Sequence, residues 1–557
     1  MISSRHINKI IICAVAFALI MSGLLVYGAY TLDAKNVPAY QKMLFDGEVA
    51  SIDIQIDADT WQTMINNATA KEYVTGDVVI NGERFGSVGI RTKGNSSLSQ
   101  GRSSQGGSYS LQFKLNYAIK GQTYYGLDVF CVNNMMGDAT YMKDYIAYDI
   151  MRYIGVDAPL ANYAKITVNG EDYGFGLLLE RYEKAYLDRV YDTSAGFLYN
   201  VKIQMGQREN FLEFGRAIPE QDAQTSRPAD NADRANRGRG GNFGGFGGSN
   251  GGSLIYTTDE PGDYSAIFDN AVFASKTTEA DMARVVEAIK KLNEGTELEK
   301  YWDIDAILRY LAAHTVTVNL DSYSSSMQQN YYIYENGGKL TVLPWDYGLA
   351  FGGFQSLDAS GVVNFPIDTP VSGVGMEDRP LINKLLEVPE YKEKYHEYLR
   401  QIADGYFASG LFENTIRELD EIINEYVKND IFANYTYEQY EASLPVFIEL
   451  GKLRAESISG QLDKTIPSTT EGQRSDQSAL IDASGLDLSA LGSMMGGGGM
   501  GDFGGDRGNF GGGRFDFGGD MPEMPDRPNR QWGENMPDMP NMPDRNNQDS
   551  SSSMRAN

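Results

Sequence analysis

Three polar residues stand at the ends of apolar segments in the middle of the chain, and their types suit phosphoryl-transfer chemistry. Asp321 follows an apolar helical pattern, Asn330 opens the segment NYYIY, and Asp346 closes LPWD before a glycine-containing turn. Oxygens of such side chains are ligands that Mg²⁺ accepts while it keeps some of its waters. A cation held in this way bridges phosphate oxygens in phosphoryl transfer. The simpler interpretation, in which Asp321 caps a helix and Asp346 holds a turn, stays open on spacing alone.

A second group of polar residues lies in the segment GIRTKGNSS, residues 89–97. Arg91, Lys93 and Ser96 are candidates for binding phosphate, because backbone N–H groups of a small-residue loop and nearby cations favour an anion. The Walker A order GxxxxGK[ST] is absent, which excludes a P-loop. Lys114 lies mid-strand in SLQFKLNY, facing away from its apolar neighbours, and is either a solvated residue or a ligand.

Composition narrows the chemistry further. The 557 residues include 48 Lys and Arg against 75 Asp and Glu, a net charge of −27 that argues against a nucleic-acid partner. Two cysteines exclude a disulfide framework and a Cys-rich zinc site. Three histidines leave little room for a His-based metal site, and His314 reads as a packed core or surface residue of a helix rather than a catalytic one. Catalysis must therefore rest mainly on carboxylates, lysine and the backbone.

The N-terminus carries a membrane-targeting pattern. Arg5 and Lys9 precede an almost uninterrupted apolar run over residues 10–32. About 20 such residues span a bilayer, and a basic N-terminal flank stays in the cytoplasm. We therefore expect residues 1–35 to form a transmembrane anchor with the rest of the chain outside the cytoplasm. A small-residue cleavage site near Gly28 leaves a removed signal peptide, and hence a secreted protein, as the alternative.

The elements that must position these side chains change in type along the chain. SIDIQID, from Ser51, alternates apolar and polar residues as a half-buried strand does, and Asn81-Gly82 and Asn169-Gly170 mark hairpin turns. An amphipathic helix is predicted over Tyr141–Ile154, and residues 379–461 read as helical throughout. A β-rich part followed by a helical part predicts an α+β fold.

One large domain is expected over residues 40–465. Within it, residues 226–253 are glycine-rich and predict a flexible insertion. Residues 466–557 are rich in Ser, Gly, Asp and Met-Pro steps, with too little aliphatic content for a core, and predict a disordered tail.

Several segments, taken together and in order, resemble the CotH family, the spore coat protein H group of atypical secreted protein kinases. The resemblance runs from about Ser51 to Gly353. It is carried by GIRTKGNSS at 89–97, SLQFKL at 110–115, TVNGEDYGFGLLLE at 167–180, NLDSY at 319–323 and LPWDYGLAFG at 343–352.

This resemblance implies a divergent protein-kinase-like fold that uses ATP with Mg²⁺ or Mn²⁺ to phosphorylate Ser or Thr of proteins. Envelope or spore-coat proteins, and the chain itself, are the implied acceptors. The resemblance implies that Asp321 is the catalytic aspartate, Asp346 the metal-binding aspartate and Asn330 a second metal ligand. It implies that Arg91, Lys93 and Ser96 belong to the phosphate loop. Lys114 would be the lysine that pairs with the phosphates, and Glu180 the glutamate on the adenine side.

The sequence also departs from ordinary kinases. No HRD, DFG or GxGxxG string is present, and Asn330 comes nine positions after Asp321 where the kinase catalytic loop has five. Two alternatives stay open: a non-catalytic surface or coat-assembly scaffold, and a metal-dependent hydrolase that uses Asp321 and Asp346.

Overall fold

Seven strands close into a barrel at the start of the fold. The computed structural model describes residues 37–94, 98, 108–202, 250–354 and 358–492. The strand order around the barrel is β1-β2-β3-β4-β5-β7-β6. The strands are β1 (Ala50–Gln55), β2 (Val74–Ile80), β3 (Glu83–Thr92), β4 (Leu111–Lys114), β5 (Val129–Asn133), β6 (Ala161–Val168) and β7 (Glu171–Glu180).

Alternation of side chains builds the barrel interior. Ile52 and Ile54 of β1 are buried, as the SIDIQID pattern predicts, and they pack with a separate apolar cluster inside the barrel. Both predicted hairpins form, with Asn81-Gly82 joining β2 to β3 and Asn169-Gly170 joining β6 to β7. All four turn residues have positive φ, which Asn and Gly tolerate best. The barrel closes where β1 pairs in parallel with β6, since Ile52 lies opposite Ile166.

A three-stranded sheet and most of the helices form the second part. Its strands are β8 (Phe197–Val201), β9 (Tyr331–Asn336) and β10 (Lys339–Pro344), in the order β10-β9-β8. The helices are α1 (Ala39–Leu44), α2 (Ala58–Asn66), α3 (Lys143–Tyr153), α4 (Lys184–Tyr191), α5 (Ser265–Phe268), α6 (Glu279–Glu294), α7 (Leu298–Tyr301), α8 (Ile304–Thr317), α9 (Ala359–Val363), α10 (Pro380–Leu386), α11 (Pro389–Ile402), α12 (Leu411–Lys428), α13 (Tyr437–Leu462) and α14 (Thr470–Ser475).

Two helices, α3 and α8, position residues of the candidate site. Helix α3 was predicted over Tyr141–Ile154, and seven of its eleven residues are buried, including Lys143 and Asp144. Helix α8 is mostly apolar and buried, apart from exposed Asp305 and half-buried Arg309, and Asp303 begins it by accepting a hydrogen bond from the N–H of Ala306. It ends at Thr317, where Val318 takes a left-handed conformation with φ of 45°. The chain therefore turns sharply just before Asp321.

The α+β class is confirmed, while the closed seven-stranded barrel was not predicted. The predicted anchor at 1–35 and most of the glycine-rich insertion lie outside the described residues. In the described part of the chain, no helix is long and apolar enough to cross a membrane.

Folded structure extends into both segments that were expected to lack it. Gly251, Gly252 and Ser253, at the end of the glycine-rich insertion, are buried. Beyond residue 465, helix α14 forms and Leu491 is buried. Side-chain hydrogen bonds, which composition does not reveal, attach this segment to the rest of the fold. For example, Gln473 Nε2 donates to the carbonyl oxygen of Asn364 at 2.7 Å.

Candidate functional site

One cleft collects most of the residues that the sequence singled out. It has a volume of about 230 Å³ and is lined from the barrel, from helix α3 and from the segments around β8, β9 and β10. Five predicted site residues line it: Arg91, Lys93, Asp321, Asn330 and Asp346. Ser96 lies outside the described residues.

Hydrogen bonds fix the Asp321 carboxylate. Gln329 Nε2 donates to Asp321 Oδ1 at 2.6 Å, and Asn330 Nδ2 donates to Asp321 Oδ2 at 3.1 Å. The same Asn330 nitrogen donates to the backbone oxygen of Asp321 at 2.7 Å. Since its nitrogen is used in this way, the side-chain oxygen of Asn330 is the atom that remains for a cation.

Asp346 sits on a tight turn directly after β10. Its φ is 62°, a left-handed conformation that a non-glycine residue adopts only when its surroundings hold it there. Its N–H donates to the hydroxyl oxygen of Tyr148 at 3.0 Å, and its carbonyl oxygen accepts from Asn319 Nδ2 at 3.0 Å. Asn319 Oδ1 also accepts from the N–H of Asp321 at 3.2 Å. Asn319 therefore joins the two aspartate-bearing segments.

The sequence interpretation missed Asp144 of helix α3. This carboxylate is buried; its Oδ1 accepts the N–H of Tyr347 at 2.6 Å, and its Oδ2 accepts Asn133 Nδ2 at 3.2 Å. Burial, and next the negative charge of Asp346, raise the pKa of Asp144 to about 7, against the opposing effects of the Tyr347 N–H and the Lys93 charge. No strong sequence signal marked Asp144, since it falls on the polar face of an amphipathic pattern and its partners come from β5 and from the turn after β10.

Lys93 occupies the cationic position beside these carboxylates. Its Nζ donates to Asn133 Oδ1 at 2.6 Å and lies 5.3 Å from the centroid of the Trp345 ring, next to Asp346. Lys114, the other lysine considered, does not line the cleft. Lys114 lies on the same face of β4 as Gln112, two residues further along the strand, and only Gln112 lines the cleft. The charge of Lys114 instead acts on Asp128 and Glu183.

Glu180 also stays away from the cleft. It is fully buried and paired with Arg189 through two contacts, Nε to Oε1 at 3.0 Å and NH2 to Oε2 at 2.6 Å. The next residue, Arg181, lines the cleft instead, and its guanidinium carbon lies 4.5 Å from the Trp345 ring centroid. The predicted adenine-side role of Glu180 therefore does not agree with its position.

A buried histidine, His314, contacts the two segments that follow Asp321 and Asp346. His314 Nδ1 and the hydroxyl of Tyr347 are 2.8 Å apart, and His314 Nε2 lies 2.8 Å from Ser324 Oγ and 3.1 Å from Ser322 Oγ. Burial lowers the pKa of His314 to about 4, so the ring is neutral near pH 7. Of the core and surface positions expected for His314, the structure shows the core position, and the ring links the loop after Asp321 to the turn after Asp346.

The donor set fits a hard cation that also binds phosphate. Within the described ranges, no group of three His, Cys, Asp or Glu side chains is arranged to hold a metal ion. The cleft instead offers Asp346, the Asn330 oxygen and the neighbouring Asp144 and Asp321. Mg²⁺ is usually bound by one or two carboxylates together with waters and substrate phosphates. These residues therefore suit a cation that arrives with its phosphate ligand.

Comparison with known proteins now decides the family. A family model described as CotH kinase protein matches residues 90–458, more than half of the chain. The chain belongs to the CotH family. The resemblance inferred from the motifs is thus confirmed, and the CotH match contains every cleft residue named above.

A curated relative agrees with this assignment. Inner spore coat protein H of Bacillus subtilis strain 168 is 22% identical over 343 residues, which cover 61% of this chain and 80% of that protein. At this identity the comparison supports membership of the CotH family, while the chemistry of the cleft must be argued from its own residues.

Proposed function

We propose that this chain is an ATP-dependent and divalent-metal-dependent protein kinase that phosphorylates Ser or Thr. The observation that carries the proposal is the joint placement of Asp321, Asn330 and Asp346 in one cleft, with the Asn330 amide bonded to the Asp321 backbone oxygen. Protein kinases use a catalytic-loop Asp for the acceptor hydroxyl, and an Asn of that loop with a second Asp for metal. The family description as a kinase protein supports the same reading.

The order of elements around the cleft supports this assignment. Helix α8 leads to the Asp321 loop, the β9–β10 hairpin follows, and Asp346 comes directly after it. A protein kinase also pairs a strand lysine with an acidic residue of a helix packed beside the strands. Here Lys93 and Asp144 of α3 interact electrostatically, and both line the cleft. Lys93 therefore replaces Lys114 in the proposal.

The proposed roles follow from these positions. Asp321, held by two donors, orients the acceptor hydroxyl and takes its proton as the phosphoryl group transfers. Lys93 stabilises negative charge on the transferring phosphate. Asp346 and the Asn330 oxygen would hold Mg²⁺ or Mn²⁺, which would supply positive charge to neutralise the donor phosphates.

The long loop between Asp321 and Asn330 is packed rather than loose, which removes one objection to the kinase assignment. Ser322 Oγ donates to the backbone oxygen of Asn319 at 2.6 Å, and Ser325 Oγ donates to that of Leu320 at 2.5 Å. Arg379, the residue just before α10, donates from Nε to the backbone oxygen of Tyr323 at 2.7 Å. The loop is four residues longer than that of ordinary kinases, and these hydrogen bonds hold it against the fold while Asn330 still contacts Asp321.

The acceptors we propose are coat or envelope proteins, because the CotH relative is named a spore coat protein. The proposed location is outside the cytoplasm, either at the membrane through residues 1–35 or secreted after their removal. This part of the proposal depends on the apolar N-terminal run, which lies outside the described residues.

The decisive experiment is transfer of labelled γ-phosphate from ATP, with Mg²⁺ or Mn²⁺, to the full chain and to a generic protein acceptor. We expect wild type to transfer label and both Asp346→Asn and Asp321→Asn to lose it. Asp46→Asn is the matched control, because Asp46 is exposed on the barrel side and does not line the cleft. Folded wild type that binds no ATP and transfers no label would sink the kinase proposal and favour the scaffold. Binding of metal without ATP would favour the hydrolase.

A further inference from the structure

Four cationic side chains line the cleft in addition to Lys93. They come from separate elements, since Lys71 follows a short turn before β2, Arg91 lies on β3, Arg181 follows β7 and Lys202 follows β8. We call these four residues the cationic wall. Only the tertiary fold brings them together, and Arg91 alone among them belongs to a motif that the sequence singled out.

Three of the four residues of the cationic wall have no ionic partner within the described ranges. In the described part of the chain, Arg91, Arg181 and Lys202 form no ion pair, and Arg181 Nε is buried without a hydrogen-bond partner. Arg91 and Arg181 instead contact neutral groups, Gln112 Oε1 at 3.0 Å and the Tyr332 hydroxyl at 2.9 Å.

The wall residues act on one another. Burial first, and then the charges of Lys71, Arg181 and Arg91, lower the pKa of Lys202 to about 8. The acidic group that faces Arg181 and Arg91 is Glu183, and burial raises its pKa to about 7. Glu183 is therefore only partly ionised near pH 7, and it offsets part of the charge of Arg181.

The wall begins beside the acceptor side of the site. Strand β8 runs antiparallel to β9 with Val201 opposite Tyr331, so that Lys202 follows at the level of Asn330. Asn330 donates to the carboxylate of Asp321, the proposed acceptor-binding residue. The donor phosphates belong instead with Lys93 and Asp346. A second anion at Lys202 would therefore lie within a few residues of the acceptor hydroxyl along a bound peptide.

We propose that the cationic wall selects acceptor peptides that carry an anionic side chain, a carboxylate or a phosphate, close to the accepting Ser or Thr. This inference rests on the proposed kinase function and names its substrate class. Ammonium and guanidinium groups without ionic partners form strong charge-assisted hydrogen bonds with such anions. The chain as a whole carries a net charge of −27, which repels an acidic peptide, whereas the wall gathers four cations on one part of a cleft that also holds carboxylates.

The test compares two synthetic peptides that each contain one serine, flanked by aspartates in one and by asparagines in the other. Peptide binding to the full chain is measured by fluorescence anisotropy, and KM for peptide and for ATP by phosphate transfer. We expect at least tenfold tighter binding and lower KM for the aspartate peptide. Lys202→Glu should reduce that preference about tenfold or more, and Lys202→Gln should reduce it less. Lys120→Glu, at an exposed position that does not line the cleft, should leave it unchanged.

Two results would overturn the proposal. One is equal binding of both peptides to wild type. The other is a rise in the KM for ATP in Lys202→Glu that is the same with either peptide, which would assign the wall to the donor. Failure of the kinase function is visible separately, because a chain that transfers no phosphate but still prefers the aspartate peptide in anisotropy retains the wall as an anion site.

Discussion

Replacing Glu180 by alanine should destabilise the barrel rather than remove a nucleotide contact. The Glu180 side chain is fully buried and accepts four hydrogen bonds, two of them from Arg189. The other two donors are the Tyr40 hydroxyl at 2.6 Å and the N–H of Leu160 at 3.1 Å. Through these bonds Glu180 joins the end of β7 to helices α1 and α4. The change would leave one buried cation and two buried donors without their acceptor.

The expected cost follows from that inventory. Removing one partner of a buried ion pair costs about 3 to 5 kcal/mol, because the other charge stays buried without compensation. A buried donor left unsatisfied costs about 1 to 3 kcal/mol, and these costs overlap within one network. We therefore expect Glu180→Ala to lower the free energy of unfolding by about 4 kcal/mol. That is a large fraction of the roughly 5 to 15 kcal/mol that stabilises a typical domain.

Urea unfolding, followed by far-UV circular dichroism, measures this loss, and calorimetric titration measures ATP affinity under conditions where the variant is folded. The double variant Glu180→Leu with Arg189→Met should recover part of the stability, since no charge is then left unpaired. If Glu180→Ala were as stable as wild type and bound ATP at least tenfold more weakly, our structural account of Glu180 would be refuted and the adenine-side role restored.

Two further changes test other parts of the molecule. Asn319→Asp keeps the acceptor for the Asp321 N–H but loses the donor to the Asp346 carbonyl oxygen. We therefore expect kcat for phosphate transfer to fall about 10- to 100-fold with little change in ATP affinity. A kcat equal to that of wild type would contradict this. Burial alone would raise the pKa of Asp368, but hydrogen bonds from His396 at 2.7 Å and Ser468 at 2.7 Å and the Lys392 charge lower it to about 2 from 3.8. Because the folded pKa is depressed, about 2 kcal/mol of stability is present above pH 4 and is lost as the pH falls toward 2. Between pH 6 and pH 3, urea unfolding should show a loss about 1 kcal/mol larger in wild type than in Asp368→Asn, because other carboxylates such as Glu413 lose stability in both proteins; an equal loss in both proteins would contradict it.

Much of the fold was predictable because its signals are local. Period-two alternation identified β1, Asn-Gly steps identified two hairpins, and apolar stripes identified the helices. Closure of the barrel was not predictable in this way, since the parallel pairing of β1 with β6 joins residues more than one hundred positions apart. Alternation states which residues share a face but not which strand lies beside it.

The residues of the candidate site also differ in how far local sequence could predict them. Asp321, Asn330 and Asp346 stand at the ends of elements, where polar residues beside apolar runs are conspicuous, and they do meet in one cleft. The choice between Lys93 and Lys114 depended on which part of the barrel surface faces the cleft, and alternation cannot distinguish positions on one face.

The sequence by itself determined the α+β class, the family, the main helices and hairpins, and the three polar residues around the cleft, because each depends on residues near one another in the chain or on motifs in order. Only the tertiary structure decided that Asp144 is buried beside Asp346, that Glu180 belongs to an ion pair and that four distant cations form one wall. Burial and electrostatic environment depend on which surfaces pack together, and that is set by contacts between residues far apart in the chain.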